Sequence, residues 1–159
     1  MNATYVYTYD HSGNIVEKEE FTLTAANQTP TAIRVNTEFG YSDSDWMDLL
    51  VNYNGKTITY DSVGNPLSYY NGFTFTWEGR RMMTATKNGV VYAFTYNEDG
   101  LRTSKTKNYG TSNSITTNYY YSGTLLIKEE SPEYTMIYLY DANGSPIGSK
   151  YRASSYVIL

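Results

Sequence analysis

The chain has 159 residues, a formal charge of −4, no Cys, and 19 Tyr against only 5 Phe. That length suits one domain rather than two, and the missing Cys excludes disulfides, thiolate nucleophiles and the commonest structural zinc sites. An acidic balance with scattered basic residues, of which only Arg80 and Arg81 are adjacent, argues against a nucleic-acid partner.

In chain order, the first signal is Tyr9-Asp10-His11-Ser12-Gly13. An Asp at the first turn position accepts a backbone N–H two residues on, and a Gly three positions later takes the left-handed conformation that closes the turn. Met1 to Asp10 holds no basic segment followed by an apolar one, so if the protein is exported its signal lies elsewhere. The polar stretch Thr24 to Thr31, with Pro30, reads as a longer loop. Ser42 to Leu50 offers capping residues, early acids and apolar residues at helical spacing, and predicts one short helix.

From Asn54 to Lys107 the pattern is an up-and-down meander. Asn54-Gly55, Asn71-Gly72, Asn88-Gly89 and, further on, Asn143-Gly144 predict two-residue type I′ turns, which need positive φ at both central residues. The Asp turn recurs at Tyr60-Asp61-Ser62-Val63-Gly64, Tyr96-Asn97-Glu98-Asp99-Gly100 and Tyr140-Asp141-Ala142-Asn143-Gly144. Between turns the side chains alternate. Phe73, Phe75 and Trp77 fall on one face with Thr74 and Thr76 on the other, and Val90, Tyr92, Phe94 and Tyr96 repeat the pattern. Asn108 to Thr117 reads as a second longer loop. The fold class is therefore all-β, an antiparallel hairpin meander with one short helix and a thin or aromatic core. No apolar run approaches the ~18 residues of a membrane span.

The Asp turns, together with "YNGKTITYDSVGNPL", "FTWEGRRM", "FTYNEDGLRTSK" and "YLYDANGSPIGSKY", resemble the core of bacterial Rhs proteins, the YD-repeat family that includes teneurin-like shells. The resemblance runs from about Tyr5 to Tyr151. It implies hairpins that continue edge to edge into a hollow shell around a C-terminal toxic domain. The partners it implies are neighbouring repeats and that enclosed effector, and it places the protein at the bacterial surface or outside the cell. Residues 1–159 are then a single segment of a larger shell with no enzymatic role. Many Rhs cores end in a self-cleavage segment containing Asp-Pro. That dipeptide does not occur here, so neither processing site nor toxin is carried over.

His11, the sole His, sits in a turn and makes a poor centre for a Ser-His-Asp arrangement. Asp43, Asp45 and Asp48 lack the Gly and Glu spacing of a calcium hand, and Asp141 to Ser145 lacks a closing acid. Glu78 and Asp99, candidates for a glycosidase pair, each have a turn role. No cofactor is expected. The alternative function is a carbohydrate-binding surface in which Tyr69, Tyr70, Trp77, Tyr92, Tyr119, Tyr120 and Tyr121 stack on sugars of a polysaccharide. The same rings also serve cross-strand packing. Terminal strands with unpaired edges predict self-association of the isolated chain.

Overall fold

The computed structural model describes residues 3–22, 25–30, 33–42 and 47–154. All regular structure among them is β-strand. Contacts divide the chain into two compact units, Met1–Phe73 and Thr74–Leu159.

The first unit opens with a five-stranded antiparallel sheet whose strands lie side by side in chain order. They are β1 (Ala3–Tyr9), β2 (Ile15–Thr22), β3 (Ile33–Tyr41), β4 (Leu50–Tyr53) and β5 (Lys56–Thr57). A short hairpin of β6 (Thr59–Tyr60) and β7 (Pro66–Ser68) follows. Ile58, between β5 and β6, is the most deeply buried apolar residue at 2% exposure, and its N–H donates to the Val51 carbonyl at 2.8 Å. Gly40 lies opposite Asn52, and a Cβ there would meet the Asn52 Cβ at 3.0 Å. A close strand approach explains this glycine, which sits outside any turn.

The second unit is a run of antiparallel strands in chain order: β8 (Thr74–Glu78), β9 (Arg81–Lys87), β10 (Val90–Tyr96), β11 (Arg102–Lys107), β12 (Ile115–Ser122), β13 (Leu125–Glu130), β14 (Tyr134–Tyr140) and β15 (Pro146–Ala153). Directly opposed residues share a face. One face holds Phe75, Trp77, Ala85, Tyr92, Phe94, Tyr119, Met136 and Tyr151. The other holds Thr76 and Thr84, Thr95 and Ser104, and Thr106 and Thr116, each pair sharing a hydroxyl hydrogen bond of 2.7–2.9 Å. Lys105 and Lys107 lie on the aromatic face, opposite Phe94 and Tyr92. The core is as thin as the composition implied. Phe21, Ile58 and Ala85 are the only buried apolar residues among those described.

The turns sort by how many residues they bridge. Asn54-Gly55 and Asn88-Gly89 have positive φ at both positions, as type I′ requires. Asn71 and Asn143 do not. In Tyr69 to Phe73 the Gly72 N–H donates to the Tyr69 carbonyl and the Tyr69 N–H to the Phe73 carbonyl, both at 2.9 Å. That is the same wide turn as at Asp141, where Gly144 donates to Asp141 and Asp141 to Ser145. In both, the residue three places before Gly sets the turn and Asn occupies an ordinary position. Of the predicted helix, residues 43–46 lie outside the described residues. Met47 and Asp48 form a turn, and Leu50 already belongs to β4. The described part is no helix because Leu49 accepts from the Ser42 N–H at 2.9 Å and Leu50 pairs with Tyr41, so strand pairing claims the apolar end. The second loop is shorter than predicted, since Ile115 to Thr117 already lie in β12.

Candidate functional site: the hairpin roots and the aromatic face

The Asp turns build their own support. In the first, Asp10 Oδ1 accepts from the Ser12 and Asn14 N–H groups at 2.8 and 2.9 Å, and Oδ2 from the Asn14 side-chain amide at 2.9 Å. Asp61 repeats the set with Val63 and Asn65, at 3.0, 2.9 and 2.8 Å. Asp141 holds Asn143 and Ser145, and Asn97 holds Leu101. The Asn14 amide, with backbone N–H groups, holds the Asp10 carboxyl below its ordinary value. At Asp61 partial desolvation pushes the other way, and the bonds from Asn65, Val63 and Gly64 still lower it. Gly13, Gly64, Gly100 and Gly144 have φ of 80–86°.

The tyrosine before each turn does more than end a strand. Tyr9 pairs with Ile15, Tyr60 with Pro66, Tyr96 with Arg102 and Tyr140 with Pro146, and at each the register slips by one residue. Tyr41, Trp77 and Tyr121 occupy the same place, pairing with Leu50, Met82 and Leu126 beside the same slip. The residues skipped in the register of these pairs are Val16, Val51, Leu67, Met83, Thr103, Ile127 and Ile147. A bulge disrupts the ladder and raises local twist.

The next root aromatic reaches that disrupted point. Tyr41 Oη donates to the Ile15 carbonyl at 3.1 Å, and Tyr60 Oη to Leu50 at 2.7 Å. Tyr96 Oη donates to Met82 at 2.8 Å, Tyr121 Oη to Arg102 at 2.9 Å and Tyr140 Oη to Leu126 at 2.8 Å. In every case the acceptor is the residue paired with the preceding root. Burial raises the pKa of Tyr41, Tyr60 and Tyr121. The sequence pattern displayed four of these roots through their Asp turns. It missed Tyr41, Trp77 and Tyr121, whose turns differ. The signal shared by most of them is an aromatic residue, a glycine turn, then an apolar pair such as Met82-Met83 or Leu126-Ile127.

The residues considered for sugar stacking do not converge on one platform. Tyr69 and Tyr70 belong to the first unit, where Tyr70 stacks on Tyr53 at 4.1 Å and Tyr53 meets Phe39 edge-on at 5.4 Å. Trp77, Tyr92, Tyr119 and Tyr121 share the aromatic face of the second unit, and Tyr121 is a root. Tyr120 is on the opposite face, with the Lys128 ammonium 4.0 Å from its ring centroid and its hydroxyl donating to Glu130. On the aromatic face Arg102 stands 5.4 Å from the Phe94 ring and 5.1 Å from the Tyr119 ring. Glu129 accepts from Tyr134 Oη at 3.0 Å and Tyr138 Oη at 2.6 Å. The Glu129 hydrogen bond, with burial, pushes the Tyr138 hydroxyl up to about 12.

His11, Glu78 and Asp99 are exposed at turns or a strand end, Asp48 is in a turn, and Asp43 and Asp45 lie outside the described residues. Among the described residues no group of three or more His, Asp or Glu is placed to hold a metal ion. No helix there is long and apolar enough to cross a membrane.

Fold and roots together define an antiparallel hairpin-repeat array. No family model matches the chain. It is similar to the tRNA3(Ser)-specific nuclease WapA of Bacillus spizizenii and to the tRNA nuclease WapA of Bacillus subtilis. It is 35% identical to each over 124 residues, which is 76% of this chain and 5% of either relative. The chain thus spans a small fraction of the length of the proteins it matches.

Proposed function

We propose that the chain is a wall segment of an Rhs-type YD-repeat shell, a non-catalytic hairpin array that encloses and helps deliver a C-terminal effector domain at the bacterial surface or outside the cell. The observation that carries this reading is the set of root hydrogen bonds by which Tyr41, Tyr60, Tyr96, Tyr121 and Tyr140 each tie a hairpin to the one before it. Such a sheet is ordered by neighbour contacts and its length is not set by a closed core, as in other repeat proteins. A match confined to 5% of two very long nucleases supports a structural role, with the nuclease activity of such proteins residing in other residues. The partners are neighbouring repeats and the enclosed domain.

The test uses the complete reading frame that contains this chain. Limited proteolysis of the intact protein should leave a downstream domain resistant, and replacing Tyr96, Tyr121 and Tyr140 together by Ala should expose it. A reading frame confined to Met1 through Leu159, or a downstream domain equally sensitive in both proteins, refutes the shell.

A further inference from the structure

Positive charge is unevenly held in this acidic chain. Through Phe73 there are three basic and nine acidic residues, and from Thr74 there are nine basic and seven acidic, so the halves carry −6 and +2. In the second unit part of that charge sits on the aromatic face. Lys105 and Lys107 lie two residues apart on β11, opposite Phe94 and Tyr92 on one side and Thr117 and Ile115 on the other. Tyr92, Lys105, Lys107, Ile115, Thr117, Glu133 and Tyr134 line a recess of about 240 Å³. Neither lysine forms an ion pair with a described residue. The Tyr134 hydroxyl is engaged by Glu129 and its ring stacks on Tyr151 at 5.9 Å, so only the part of the ring that lines the recess is offered to a ligand.

We propose that this recess binds an anionic sugar residue, carrying a carboxylate or a phosphate, within an extended polysaccharide. Two neighbouring ammonium groups supply the counter-charge, and tyrosine rings offer flat apolar surfaces to sugar C–H groups. The recess is smaller than the ~300–1,000 Å³ of enclosed small-molecule sites, which suits one ring of a polymer crossing an open sheet. Glu133 on its wall opposes an anion and sets the sign of one variant's effect. The site rests on the second unit alone and is independent of the shell reading.

Isothermal titration of the full chain against polygalacturonate, phosphomannan, neutral dextran and polyuridylate tests it. At least one anionic polysaccharide should bind, and the polygalacturonate and phosphomannan arms tell carboxylate from phosphate. Lys105→Gln with Lys107→Gln should weaken binding about tenfold and Glu133→Gln should tighten it a few-fold, with circular dichroism unchanged. Raising salt from about 50 to 300 mM should weaken it as well. No binding to either anionic polysaccharide, equal binding of dextran, tighter binding of polyuridylate, or indifference to the lysines would overturn the site.

Discussion

Replacing Tyr96 by Phe removes one hydroxyl and leaves the ring. The hydroxyl donates to the Met82 carbonyl at 2.8 Å in a half-buried setting beside a bulge. A neutral hydrogen bond of this kind contributes about 1 kcal/mol net, and more when the abandoned acceptor stays out of water. For a chain of this size that lowers Tm by about 2–4 °C. Tyr109→Phe makes the control, since Tyr109 is 57% exposed and its hydroxyl has no described partner. Its effect should stay within about 0.5 kcal/mol of zero. Urea unfolding in a Trp46→Phe background, followed by Trp77 fluorescence, reports on the second unit. The midpoint should fall for Tyr96→Phe with the slope unchanged. Tyr121 donates to the carbonyl of Arg102, the residue paired with Tyr96, so Tyr96→Phe and Tyr121→Phe should couple by ~0.5 kcal/mol or more. If Tyr96→Phe and Tyr109→Phe unfold at the same urea concentration, the root hydrogen bond orders nothing and the account of the array fails.

Four further outcomes are expected. Asp10 and Asp61 are held below the ordinary value of 3.8. Their contribution to stability is therefore complete above the unfolded-state value and lost as pH falls through the folded one. Carboxyl NMR titration should give midpoints under 3.8, and Asp61→Asn should keep the turn while flattening the acid dependence. Tyr138, pushed up to about 12, favours the folded state below the unfolded-state tyrosine value near 10 and loses that contribution as pH rises through its own. Alkaline difference spectra should show several late-ionising tyrosines, of which Glu129→Gln advances Tyr138 and Tyr134, and an unchanged titration in that variant contradicts the assignment. Gly40→Ala should destabilise by about 1–3 kcal/mol in urea unfolding, because the new methyl meets Asn52, whereas an unaltered midpoint means the strands part freely. Strand β15 is exposed along its whole length, with Ile147 at 67% and Tyr151 at 61%. The isolated chain should self-associate in light scattering, Ile147→Lys with Tyr151→Lys should reduce this, and a strict monomer at all concentrations refutes it.

The all-β class and the strands around Phe75 and Tyr92 were legible because period-2 alternation and glycine turns are local signals. The Asp turns were legible for the same reason, since Asp61 bonds only residues within four positions of itself. Turn type at Asn71 was not, because Tyr69 governs that turn and its side chain says nothing about it. The predicted helix failed at Leu49 and Leu50 because a non-local pairing with Ser42 and Tyr41 outweighs local spacing. The roots were half legible. Tyr41 and Ile15, or Tyr121 and Arg102, are far apart in the chain, and only the fold brings hydroxyl to carbonyl. The same holds for the aromatic face, where alternation separates Tyr120 from its neighbours and register places lysines among the rings.

The root hydrogen bonds all point one way. Tyr41, Tyr60, Tyr96, Tyr121 and Tyr140 each donate toward the N-terminus, to a carbonyl made earlier in synthesis. A chain emerging from the ribosome therefore completes each of these hairpins against a template that is already standing. No hairpin has to wait for sequence still unmade, and loop-closure costs stay small at every step. The sheet can grow in the order in which it is written, like courses of brick laid on the course below.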